Sequence, residues 1–154
     1  MIDFITISNF SYAVLALYMY GQKNPHSTLV LVVFCVSLLH HSFPDKKVLQ
    51  RFDGTIANIS LAIILPYYLI KKHKTWQYWL SIVTFIVALY CYLKSGNDYT
   101  KTSYIYYHSF WHILSPLALF IMIQAPNYQY KKINHNKLNQ NNLKILSKET
   151  ICTI

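Results

Sequence analysis

The chain has 154 residues, of which 54% are hydrophobic and only 12% charged. A soluble domain carries roughly 25% charged residues, so about half the usual solvating charge is missing, which argues against a water-exposed globule. The net charge of +9 comes from thirteen Lys and one Arg set between apolar runs and in the C-terminal segment, a pattern of topology signals and anionic headgroups rather than of nucleic-acid binding.

The apolar residues fall into runs that predict five helical spans, at about 4–21, 26–43, 54–70, 76–93 and 105–124. Runs near 20 residues match a hydrocarbon core about 30 Å thick at about 1.5 Å rise per residue. The expected fold class is therefore an all-α, polytopic transmembrane helix bundle over residues 1–126. The first run lacks a basic flank and carries an acid, so it reads as a retained span rather than a signal peptide. Asn24-Pro25 opens the second span as a cap and a helix-compatible proline, and Pro44 follows its end. The third begins after Asp53-Gly54 and ends in Tyr67-Tyr68, ahead of Lys71-Lys72-His73-Lys74. Trp76, Tyr78 and Trp79 start the fourth, and Tyr104, Tyr106, Tyr107 and Trp111 the fifth, as interfacial aromatic belts. Pro66 and Pro116 fall within spans, where neighbouring helices can compensate for the lost backbone bonds.

Residues 127–154, rich in Asn, Lys and Gln, predict a disordered basic tail. Cys35 and Cys91 lie in apolar runs and Cys152 in the tail, which gives no disulfide framework. With five spans, Lys46, Lys47, Arg51, Lys94 and Lys101 share the N-terminal side, and the other nine positive residues share the opposite one. That excess places the tail in the cytosol and the N-terminus outside or in a lumen of an endomembrane or the plasma membrane. Asn9-Phe-Ser11 and Asn58-Ile-Ser60 match glycosylation acceptors, but both fall in or against the bilayer and are expected to be unused.

Ionisable groups within spans are expensive and point to function by default. His40 and His41 lie late in the second span, His108 and His112 early in the fifth, Asp53 at the start of the third, and Ser37 one turn before His41. The threading brings all of these to one layer near one surface. His108 and His112 are four apart, so both project from one helix face. With a third imidazole they form a three-ligand set with a free position, the pattern of a catalytic zinc site. Asp53 can orient or deprotonate water there, and Ser37 can donate to a developing oxyanion. The bland readings are interfacial histidines, Asp53 as a helix N-cap and Ser37 bonded back to its own helix. His26, His73 and His135 fall on the other side or in the tail and read as solvated.

This pattern resembles the CREST superfamily of membrane hydrolases, which includes alkaline ceramidases, adiponectin and progestin receptors, and GPI-remodelling lipases. The motifs are Ser37-Leu-Leu-His40-His41, Leu49-Gln-Arg-Phe-Asp53-Gly and Tyr107-His108-Ser-Phe-Trp111-His112, within about residues 30–120. The resemblance implies His41, His108 and His112 as Zn2+ ligands, Asp53 holding or activating water, and Ser37 supporting the site. Spacing alone does not exclude His40; the family's four-residue interval selects His41. It also implies hydrolysis of the acyl bond, ester or amide, of a membrane lipid substrate. The family has seven spans and this chain has room for five, so it reads as a shortened form. Removing two spans preserves the sidedness of the last helix but takes away walls of the substrate cavity, which leaves a homo-oligomer or a non-catalytic, receptor-like or structural protein with a degenerate zinc site as alternatives.

Overall fold

The computed structural model describes residues 4–43, 45–72, 74–97 and 101–127. The expectations for Pro44, His73, His135, Cys152 and the tail from residue 128 onward lie outside these residues. Six α-helices follow one another: α1 (Phe4–Ser8), α2 (Phe10–Gly21), α3 (Ser27–Ser42), α4 (Lys47–Lys71), α5 (Trp76–Asn97) and α6 (Lys101–Gln124). Among the described residues there is no strand, only an isolated bridge between Lys72 and Asn127. α1 and α2 are one apolar rod interrupted at Asn9, a fully buried residue. The five predicted apolar runs thus correspond to five helical rods.

Three of these rods, Phe4–Gly21, Lys47–Lys71 and Trp76–Ser95, are long and apolar enough to cross a membrane by length and composition. α3 is apolar but has 16 residues. The surface has the matching character: Leu17, Val48, Ile70 and Trp76 are each about 70% exposed or more. In water such a surface would be a liability, whereas in lipid it costs nothing.

Two helix boundaries differ from the expectation. α4 begins at Lys47, capped by Lys46, so Asp53 sits nearly two turns inside the helix and is not an N-cap. Val48, Leu49 and Phe52 carry the helical pattern through Arg51, because a basic residue at a helix end is no helix breaker. Asn24 does not cap α3 directly: its Oδ1 accepts from the His26 backbone N–H at 3.1 Å, an Asx-type turn that carries the chain to His26 at the N-cap.

Side-chain contacts set the directions. Ser11 of α2 reaches the His112 carbonyl, and Gln124 Nε2 donates to the Tyr18 hydroxyl at 2.5 Å, so α2 and α6 run parallel. Asn24 Nδ2 donates to Tyr68 at 2.6 Å, at the end of α4 far from Asp53, so α4 runs against α3. α5 and α6 form the most extensive antiparallel pair, and Ser81 of α5 donates to the Ala118 carbonyl at 2.6 Å. α4 packs chiefly on α3 and not closely on α5 or α6. An apolar core of Leu15, Met19, Val30, Ile64, Tyr68 and Met122 fills the half of the bundle near the Lys72 end. The imidazoles occupy the other half.

Candidate metal centre

α3 delivers His40 and His41 in its last turn, and α6 delivers His108 and His112 from its first half. Because α2 and α6 are parallel while α3 runs the opposite way, the end of α3 meets the beginning of α6. One nitrogen from each of His41, His108 and His112 lies within 4.8 Å of the others. The Nε2 atoms of His41 and His112 are 3.2 Å apart. Two nitrogens bound tetrahedrally at 2.0–2.1 Å would be separated by about 3.3 Å, so this edge has the length a zinc site needs. The rings pack around one another with centroids 4.7 to 5.2 Å apart.

Protonation chemistry favours the same set. The Ser95 hydroxyl at the end of α5 donates to the Tyr92 carbonyl at 2.7 Å. Having spent its proton, it can only accept from His108 Nδ1–H, 3.3 Å away. That bond holds His108 in the tautomer whose Nε2 presents a lone pair, and this buried Nε2 has no protein partner. Tyr104, one turn earlier, stacks on the His108 ring at 5.0 Å. A buried imidazole nitrogen with an unengaged lone pair is what a metal ligand looks like before it is satisfied. The all-nitrogen donor set suits zinc and other first-row transition ions, and so the residues fit the group that the motifs imply.

His40, His41 and Asp53 form a second group whose ligand atoms also lie within 4.8 Å of one another. His40 therefore joins Asp53 and His41 but not the α6 pair, and the geometry favours His41 as the third imidazole. His40 is buried, not turned to headgroups. Ser37 is buried beside the Asp53 carboxyl, and its hydroxyl makes no bond back to its own helix. All five sequence-predicted site residues therefore meet in one layer.

The layer opens into a cavity of about 660 Å³ lined by residues of α2 to α6. Ser37, His40, Asp53, His108 and His112 line its polar end, and Leu65, Leu69, Leu119 and Met122 its apolar end. Along α4 it extends from Gln50 to Leu69, about 28 Å at the helical rise. It occupies the space between α4 and the α5/α6 pair.

Sequence reasoning missed three residues here: Ser95, Ser11 and Tyr12. Tyr12 lines the cavity from α2 with its ring edge-on to His112 at 5.8 Å. A lone serine or tyrosine in an apolar run carries no spacing signal of its own. Compared with known proteins, the chain matches no family model, no curated protein and no solved structure.

Proposed function

We propose that the protein is a zinc-dependent intramembrane hydrolase of the CREST type that cleaves an acyl bond, ester or amide, in a membrane lipid. The observation that carries this reading is the placement of three imidazoles, Asp53 and Ser37 at the head of a long apolar cavity. His41, His108 and His112 would hold the zinc ion, which when bound would supply Lewis acidity toward a carbonyl and toward water. Asp53 is placed to orient the attacking water and accept its proton, and the Ser37 hydroxyl to donate to the carbonyl oxygen as charge develops. The cavity, nearly as long as the hydrocarbon core is thick, admits an acyl chain from the bilayer beside the reacting carbonyl.

In this reading all five rods span the bilayer. α3, about 24 Å long at the helical rise, is the short one and matches a locally thinned or interfacially anchored segment. The imidazole layer faces the lumen or exterior, and Lys71 and Lys72 face the cytosol.

Zinc analysis of the detergent-purified chain tests the site: about one ion per chain is expected in the wild type and almost none in His112→Ala. Asp53→Asn should keep the zinc and lose at least about 100-fold in lipid hydrolysis. A wild type free of metal would end the reading. Zinc bound without any Asp53-dependent turnover would favour a receptor-like protein with a structural ion.

A further inference from the structure

Pro116 lies inside α6. A proline has no amide hydrogen, so the carbonyl four residues earlier loses its helical donor. Four before Pro116 is His112. The backbone of a candidate metal ligand is therefore the one point in this turn of α6 that its own helix cannot satisfy.

The replacement comes from the other end of the chain. The Ser11 hydroxyl of α2 has one proton to share between two carbonyls, that of Ser8 one turn back at 2.8 Å and that of His112, which is the nearer. Its neighbour Tyr12 makes a second tie: Ser115 Oγ donates to the Trp111 carbonyl at 2.7 Å and so accepts from the Tyr12 hydroxyl at 2.5 Å. Tyr12 also lays its ring edge on the His112 imidazole. Two adjacent residues of α2 thus grip α6 at His112 and Ser115, in the turn that leads into its proline.

We infer that Ser11 is a positioning residue for the metal centre, holding the His112 backbone that Pro116 leaves without a donor, so that α2, which supplies no ligand, sets the ligand's place. The inference rests on the metal-site reading above. The bond is made between two packed helices, so removing Ser11 leaves the carbonyl to relax toward another donor and carries the imidazole with it. Outer-shell partners of metal ligands are worth 10- to 100-fold in affinity, and a bond to the backbone rather than the ring belongs near the lower limit.

The test is zinc affinity by chelator competition, together with the visible spectrum of the cobalt-substituted chain. Ser11→Ala is expected to weaken zinc about 10-fold and shift the cobalt bands, and Ser11→Thr to restore both. Pro116→Ala returns an amide donor to His112, so Ser11→Ala should cost little in that background; this cycle also serves if Ser11→Ala alone fails to fold. Wild-type affinity and spectrum in Ser11→Ala would overturn the inference while leaving the metal site intact. So would an equal loss with and without Pro116. A wild-type chain without metal would remove the site and the inference together.

Discussion

His26 occupies a different chemical setting from the four histidines at the other end of the bundle. Its ring packs edge-on against Tyr67 at 4.4 Å and against Tyr68 at 5.8 Å. Half-buried rather than solvated as expected, it stands at the N-cap, just before α3 begins at Ser27, where burial and then the nearby Lys71 ammonium lower its pKa from the ordinary 6.5. The fold therefore prefers the neutral ring, and the unfolded chain binds the proton more readily. As pH falls through 6.5 toward the depressed folded value, stability is lost; above 6.5 the contribution is fully present. Thermal unfolding in detergent at pH 7.5 and 5.5 should show a smaller acid-induced drop for His26→Gln than for the wild type. An equal drop in the two proteins would assign the acid sensitivity elsewhere.

At the scale of helices, the closed end of the bundle depends on one lysine. Lys72 follows α4, and its Nζ donates to the carbonyls of Ile123 and Ala125, both at 2.6 Å. These lie at the C-terminus of α6, where carbonyls lack intrahelical donors and the helix dipole is negative. Lys72 thus caps one helix from the end of another and ties α4 to α6 where they otherwise barely touch. Lys72→Met keeps the aliphatic stem and removes the donor, and is expected to lower unfolding stability by about 1–2 kcal/mol. Matched denaturation curves of the two chains in the same detergent measure it. Lys71, which lies over the Tyr67 ring of its own helix at 4.4 Å and donates to that hydroxyl at 3.0 Å on an exposed face, should tolerate the same change within about 0.5 kcal/mol.

The arrangement of the whole molecule bears on access. α5 and α6 form one packed unit and α3 and α4 another, with the cavity between them and the core residues Ile64, Tyr68 and Met122 along its apolar end. Helices α3 to α6, with Tyr12 of α2, line about 660 Å³, a volume within the usual range for ligand sites. Ala57 lines this space on α4, one turn from Asp53 toward the apolar end. Ala57→Trp should fill the path of an acyl chain and cut lipid hydrolysis at least about 10-fold, while zinc content stays at the wild-type level because no ligand moves. Unchanged turnover in that variant would show that substrate reaches Asp53 by another route.

Much of this protein was legible in the one-dimensional pattern. Apolar runs separated by lysines located all five rods, since a hydrocarbon environment leaves the chain few ways to satisfy its backbone and the helical period shows directly in composition. The two predicted crossings between Ser37-His41 and His108-His112, an even number, placed the polar groups in one layer, because helix direction alternates with each span of the chain. Boundaries were less legible: Asp53 was expected to open a helix that begins at Lys47, where a basic residue neither stops nor starts a helix. Packing alone settled the remainder. Whether His40 or His41 joins the α6 pair depends on the rotation of α3 about its axis, and neighbouring positions differ there by about 100°. Which hydroxyl serves the carbonyl orphaned by Pro116, and which helix caps α6, depend on contacts between residues about a hundred and about fifty positions apart. Local spacing carries no trace of such pairings, since they are created only when the rods come together.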